Sequence, residues 1–231
     1  MQRADYGVDA PGVIRNFSIL GGGMMVSSHW LPGALKPVAL WWGLSWVLTS
    51  LAMVAYARVG KFRHRNRILG LASWRGDERV LDVGTGRGLL MIGAALRLSD
   101  GKSVGIDIWN PEDLTGNRPE QTRENARLEG VAARIEVRTE DARSMSFPDA
   151  SFDTVLSNLA LHNIYDAEGR DQACREIARV LKPRGRALIS DFRHTGQYAA
   201  AFAAAGLTLK MHGPYLLDTF PPLRIVEAIK N

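Results

Sequence analysis

The chain has 231 residues, 46% of them hydrophobic, enough for one α/β domain of about 150 to 170 residues with an appendage. A single cysteine, Cys174, excludes an intrachain disulfide and any Cys-rich metal site, and it points to a reducing compartment. The net charge of +5 invites a nucleic-acid partner, yet Arg58, Lys61, Arg63, Arg65 and Arg67 carry the whole excess, and the other 24 basic residues balance 24 acidic ones.

The first notable stretch, Phe17 to Val26, is short, apolar and interrupted by Gly21-Gly22-Gly23. Val38 to Ala57 follows, twenty residues without a charge. As a helix it would reach about 30 Å, the thickness of a bilayer's hydrocarbon core. Trp41, Trp42 and Trp46 lie towards one end and Tyr56 at the other, the distribution of interfacial aromatics. The basic residues 58–67 follow directly, which by the positive-inside rule places everything downstream in the cytosol. The expectation is membrane attachment through residues 38–57, with 17–26 as the other half of a hairpin whose tip lies near His29 to Gly33. A buried or lid helix of a soluble enzyme is the competing reading. A cleaved signal peptide is not expected, because the charges follow the apolar core instead of preceding it.

From residue 61 the pattern changes to alternating strands and helices. Asn66–Trp74 reads as a short helix, then Arg79–Val83 as a strand that runs into Gly84-Thr85-Gly86-Arg87-Gly88 and a helix at Leu89–Leu98. A strand, a glycine turn and a helix N-terminus form the geometry that receives the polar part of a nucleotide-like ligand. The G-x-G-x-G spacing misses the dinucleotide fingerprint, and Asp82 beside it would repel a pyrophosphate. A ligand with a cationic end suits it better.

A second strand, Ser103–Ile108, carries Asp107 near its end, where nucleotide-binding α/β units place a carboxylate against ribose hydroxyls. A helix flanked by Pro119 and Gly130 leads to a third strand, Ile135–Thr139, and to Glu140-Asp141-Ala142. Phe152–Asn158 is the fourth strand, followed by a loop with His162, Asn163 and Tyr165 and a helix over Asp166–Leu181. Pro183-Arg184-Gly185 turns into a fifth strand, Ala187–Asp191; Thr195–Ala205 is helical, and the last strands are Leu207–Met211 and Arg224–Ala228. The order predicts an α/β fold, a Rossmann-like, doubly wound, mostly parallel seven-stranded sheet with helices on both faces. An apolar N-terminal helix or hairpin over residues 1–60 precedes the domain at 61–231. Asp82, Gly84, Asp107, Asp141 and Asn158 converge at strand ends, where such sheets bind ligands.

Read together, VLDVGTGRG, GIDI, Glu140-Asp141-Ala142, FDTVLSNLALHNI and EIARVLKPRGRALISD resemble, in order and spacing, the motifs of class I S-adenosylmethionine-dependent methyltransferases of the small-molecule branch. The resemblance covers roughly residues 61 to 231. It implies S-adenosylmethionine as cofactor, with Gly84, Thr85, Gly86 and Gly88 approaching it through the backbone. Asp82 would lie near its methionine ammonium, Asp107 on its ribose hydroxyls and Asp141 on its adenine amino group. Ile108, Trp109 and Ala142 would lie beside the ring, and Asn158 at the reacting end. For Trp109 ordinary packing is the competing reading, and for Asp82 a purely loop-stabilising one.

Methyl transfer from a sulfonium needs in-line positioning, and a base only where the acceptor must lose a proton. His162 is the candidate base, against a plain packing role, with Asn158 as neighbour. The segment Ser157-Asn158-Leu159-Ala160 lacks the Asn-Pro-Pro-aromatic motif of amino-group methylators. No metal is implied, and no nucleic acid is expected. The leading reading is a membrane-attached methyltransferase for a small lipophilic acceptor, its catalytic domain cytoplasmic. A soluble RNA or protein methyltransferase and a non-catalytic cofactor-binding membrane sensor stand as alternatives.

Overall fold

The structure, a computed structural model describing residues 3–231, contains one seven-stranded sheet in the order β3-β2-β1-β4-β5-β7-β6. β1 (Arg79–Val83), β2 (Lys102–Asp107), β3 (Ile135–Thr139), β4 (Phe152–Asn158) and β5 (Leu181–Asp191) are parallel. β7 (Leu223–Lys230) runs antiparallel to β5 and to β6 (Leu207–Tyr215). The expected doubly wound sheet is present.

The central strands are apolar without alternation because both faces are covered. On one face Leu81, Val155, Ala187 and Ile189 pack against Cys174 and Ile177 of α6 (Ala167–Val180) and Tyr198 and Phe202 of α7 (Thr195–Ala204). On the other, Val80, Leu156, Leu188 and Ile225 meet Ile68 and Leu69 of α3 (Lys61–Gly70) and Leu90 and Ala94 of α4 (Leu89–Ala95). α5 (Pro119–Leu128) closes the β3 side, placing Ala126 against Met91 and Ile92. Since β2 and β4 flank β1 on opposite sides, the chain reverses its winding at β1, and the crevice opens at the C-terminal ends of β1 and β4.

The expected helix Leu89–Leu98 ends at Ala95 and the expected strand Leu207–Met211 runs on to Tyr215, and two further elements differ for a visible reason. β5 begins at Leu181 because Pro183-Arg184-Gly185 is a bulge within the strand, with Arg184 at φ 63° and the β4 register jumping between Phe152 and Thr154. Trp74 lies outside the helix expected at Asn66–Trp74, which instead ends at Gly70 and continues an upstream helix.

That upstream helix is α2 (Leu35–Ala55), preceded by α1 (Pro11–Ser27). The two form an antiparallel hairpin: Phe17 stacks on Trp46, the Ser18 and Ser50 hydroxyls lie 3.1 Å apart, and Gly21 meets Gly43. A Cβ on either glycine would come within 2.8 Å of the other's carbonyl oxygen, so these positions allow the backbones to touch. α2 passes through a wide turn, Tyr56–Gly60, straight into α3, so one helix runs from Leu35 to Gly70. Its most apolar window has mean hydropathy 1.6 and is 17% buried, whereas a soluble protein's core helix would be mostly covered. Ile19, Val26, Trp41, Leu48 and Leu51 are more than half exposed on the hairpin's outer surface.

The basic residues 58–67 do not act as one solvated cluster. Lys61 and His64 are buried, and Arg67 donates to Asp218 at 2.6 Å, because α3 packs its inner face on the sheet. Arg58 and Arg63 remain exposed.

Candidate active site

A cavity of about 380 Å³ occupies the crevice at the strand ends. Asp82, Gly84, Thr85, Gly86, Asp107, Ile108, Asp141, Ala142 and Asn158 line it. Gly88, Trp109 and His162 stand beside it without lining it.

The glycine loop owes its shape to two close approaches. Gly84 sits at φ 71°, and a Cβ there would fall 2.2 Å from that of Ala160, so the loop can cross under the β4 end only with glycine. Gly88, at φ 87°, caps α4, and a Cβ there would press on Ile92. Asp82 fixes the loop from below: its Oδ2 accepts from the Thr85 hydroxyl and the Met91 amide, both at 2.9 Å. Burial pushes the Asp82 carboxyl up to about 7.

Asp107 ends β2 with its carboxylate tied at both oxygens, to the Gly86 amide at 2.8 Å and the Trp109 amide at 2.6 Å. The second bond draws Trp109 to φ 62°, and its indole donates to Thr139 at 2.8 Å, away from the cavity lining. Asp141 is engaged by Arg143 through two guanidinium nitrogens, the shortest contact 2.6 Å; that hydrogen-bonded guanidinium holds its carboxyl below the usual range. An incoming hydrogen-bond donor would compete with Arg143.

The β4 end supplies the other wall. Leu159 at φ 56° turns the chain there, and the short 3-10 turn Leu161–Asn163 follows. His162 Nδ1 lies 2.9 Å from the wholly buried Asp191 at the β5 end, and its ring packs edge-on against Phe192. Asp191 also accepts from the Phe192 amide at 2.8 Å and from the Tyr198 hydroxyl at 3.3 Å. A carboxylate at Nδ1 selects the tautomer that leaves Nε2 as a free base.

A strap formed by residues 4–9 roofs the glycine loop. Asn125 receives the Asp5 amide and donates to its carbonyl, Arg87 pairs with Asp5 at 2.9 Å, and Val8 bonds Thr115. Lys61 donates to the Tyr6 and Gly7 carbonyls, pinning the strap to α3. Sequence reasoning missed Asp191, Lys61 and the strap. Asp191 had a signal, since it ends a predicted strand on the same rim as Asp107 and Asn158; the strap had none.

Residues 81–189 match the family described as "Methyltransferase domain". The fold agrees with solved structures: the YcgJ protein of Bacillus subtilis (20% identity, TM-score 0.59, 72% of this chain and 97% of that one) and a SAM-dependent methyltransferase of Aquifex aeolicus (17%, 0.58, 72% and 89%). Over these residues the chain is similar to methyltransferase domains, and its fold is that of S-adenosylmethionine-dependent methyltransferases. Curated relatives include the 27-O-demethylrifamycin SV methyltransferase of Amycolatopsis mediterranei, 32% identical over 130 residues, 56% of this chain and 44% of the relative. The ubiquinone/menaquinone biosynthesis C-methyltransferase UbiE of Geotalea daltonii is 32% identical over 117 residues, 50% of this chain and 46% of the relative. The chain spans about half the length of these relatives. The residues fit the cofactor: Gly84 and Gly86 bring bare backbone to the cavity, and Asp107 and Asp141 present carboxylates along it.

Proposed function

We propose that the protein transfers a methyl group from S-adenosylmethionine to a small lipophilic acceptor at the cytosolic face of a membrane. The observation that carries this reading is placement: the cavity lies at the foot of an apolar hairpin whose outer residues are exposed, so an acceptor dissolved in lipid enters beside it. The relatives' names, for rifamycin and for ubiquinone/menaquinone biosynthesis, support a small-molecule acceptor. Arg58 and Arg63, exposed just after the apolar helix, support a cytosolic catalytic domain.

S-adenosylmethionine supplies an activated methyl group, so the chain's own task is to bind, orient and take a proton. Gly84, Thr85 and Gly86 would bring backbone close to the methionine end, with Gly88 shaping the turn and Asp82 beneath. Asp107 would accept from the ribose hydroxyls and Asp141 from the adenine amino group, with Ile108 and Ala142 beside the ring. Asn158 faces the reacting end. His162, oriented by Asp191, would take the acceptor's proton at Nε2 while the acceptor bonds the methyl carbon and the sulfur–methyl bond breaks, leaving S-adenosylhomocysteine. Holding the acceptor atom about 3 to 3.5 Å from that carbon supplies much of the rate.

The test is fractionation with a transfer assay. The expressed protein should pellet with membranes, resist high salt and be released by detergent, and label from methyl-labelled cofactor should enter the lipid extract. A detergent-free soluble protein that labels only RNA or protein would overturn the reading.

A further inference from the structure

Exposed large hydrophobic side chains are not scattered evenly over the sheet domain. Among the described residues beyond 61 there are seven, and five of them, Ile108, Tyr165, Phe192, Leu216 and Leu217, lie in loops that follow the C-terminal ends of β2, β4, β5 and β6. β6 reaches this rim because it runs antiparallel to β7, as β5 does, so it ends at Tyr215 on the side where β5 ends at Asp191. The loop at residues 216–222 carries two of the five side by side: Leu216 is 67% exposed and Leu217 fully so.

The loop is built to present that pair. Its root is closed from inside, where the buried Thr219 hydroxyl donates to the Tyr215 carbonyl and accepts from the Leu223 amide at 3.1 Å. The Arg67 guanidinium lies 4.0 Å from the Tyr215 ring centre and donates to Asp218 at 2.6 Å. Asp218 also meets the wide turn that joins α2 to α3, since a Cβ on Gly60 would fall 2.3 Å from its carbonyl oxygen. The residues on either side of the leucines are thus fixed to the foot of the hairpin, and the leucines project. Holding two leucines in water gains the fold nothing, whereas transfer into an apolar phase is favourable in proportion to their exposed area.

Two neighbours show what covers them. The exposed apolar surface of α2 passes through Leu48 and Leu51 to Val59, beside the turn against which the loop packs. The charge there has one sign. No acidic residue stands between Asp9 and Asp77, or between Asp191 and Asp218, and Asp218 is paired with Arg67. Arg58 and Arg63 are exposed, and Arg63 is near enough to act on the Asp218 charge. An apolar tip beside arginines matches the anionic headgroup layer of a bilayer. A second copy of the chain, docked on the same face, would set arginine against arginine.

We propose that Leu216 and Leu217 form a second membrane contact, separate from the hairpin. The tip enters the bilayer surface while Arg58 and Arg63 meet anionic headgroups, and the rim of the sheet faces the membrane. This rests on the reading of the protein as membrane-attached.

In the full chain, Leu217→Cys is labelled with nitrobenzoxadiazole and reconstituted in phosphatidylcholine vesicles with and without phosphatidylglycerol. Leu51→Cys on α2 and Lys102→Cys at the opposite end of the sheet serve as references, and Cys174 is wholly buried. The label at 217 should be quenched by lipids carrying a nitroxide just below the headgroup and shielded from iodide on both sides of the bilayer, more so with phosphatidylglycerol. The label at 102 should show the reverse. Arg58→Gln and Arg63→Gln should each lower the ratio of docked to undocked loop about fivefold in phosphatidylglycerol vesicles. Leu216→Asp should lower it about tenfold or more. These side chains are exposed, so Tm and S-adenosylhomocysteine affinity in detergent should not change. Free access of iodide to 217 would overturn the contact. Protection from both quenchers would mean that protein covers the loop, and a label still buried in Leu216→Asp would be drawn in by its own dye; each overturns it equally. The label at 51 separates the two readings. Lipid quenching at 51 but not at 217 refutes the loop contact alone, and quenching at 217 but not at 51 refutes the embedded hairpin alone.

Discussion

His162 and Asp191 stand 29 residues apart in sequence, yet the imidazole Nδ1 and the buried carboxylate lie 2.9 Å apart, joining the β4 and β5 ends. Asp191 is held in turn by the Phe192 amide and the Tyr198 hydroxyl, so the ring is oriented from behind. If this pair moves the acceptor's proton, His162→Ala should lower kcat by about 10²- to 10⁴-fold. Asp191→Asn keeps the size but loses control of the tautomer and should cost about 10²-fold or more. Calorimetric affinity for S-adenosylhomocysteine should stay unchanged in His162→Ala. An unaltered pH–rate profile in that variant would remove the base role.

Asp107 carries a different burden. Its two oxygens brace the Gly86 and Trp109 amides at the cavity wall. Asp107→Ala should therefore weaken cofactor binding by about tenfold or more, through lost ribose contacts and a loosened loop. Calorimetry decides it, and unchanged affinity would refute the ribose role.

Asp82 makes stability depend on pH. Burial raises its folded pKa to about 7 from an ordinary 3.8, so the folded state binds the proton more tightly than the unfolded chain. Its contribution to stability is fully present below about pH 4 and is lost as pH rises through 7, at roughly 1.4 kcal/mol per unit inside that window. Asp82→Asn can still accept from Thr85 and Met91 but does not titrate. Relative to the native chain without cofactor, it should gain stability between pH 5 and pH 8, measured by denaturant unfolding in detergent. A pH-independent difference would refute this account.

Legibility in the sequence followed the range of the interaction. Asp82, Gly84, Asp107, Asp141 and Asn158 were readable because each sits at the end of an apolar strand or in the turn after it, and parallel strands bring such ends to one rim. His162 was readable only as a histidine near that rim, since its partner arrives through another βα unit. Asp9 and Lys61 meet only because the hairpin folds back on itself, which no local pattern encodes. Trp109 shows the opposite limit: its place two residues after Asp107 suggested stacking, but the Asp107–amide bond turns the indole to Thr139. The basic residues 58–67 read as one positive-inside cluster because charge alone does not show that α3 buries Lys61 and His64. His64 is driven down to about 4 by burial and so remains neutral, which fits a side chain paired with the Ser190 hydroxyl at 2.7 Å.

The hairpin itself can be trapped. Ser18 and Ser50 face each other with hydroxyl oxygens 3.1 Å apart, a separation from which two thiols can close a disulfide with little backbone movement. The double variant Ser18→Cys/Ser50→Cys, oxidised in membranes with a lipid-permeable copper complex, should form an intramolecular bridge between α1 and α2. Cys174 will not compete, because it is wholly buried and burial pushes its thiol up to about 12. Mass spectrometry of the peptides should show the 18–50 link, with each single variant giving none. The bridged protein should retain methyl transfer, since the link ties two helices already in contact at Gly21 and Gly43 and leaves the strap and Tyr56 untouched. Failure to cross-link in a membrane would mean that α1 leaves α2 there. The strap carrying Asp9 would then be released from the cavity, and transfer would be expected to fall with it.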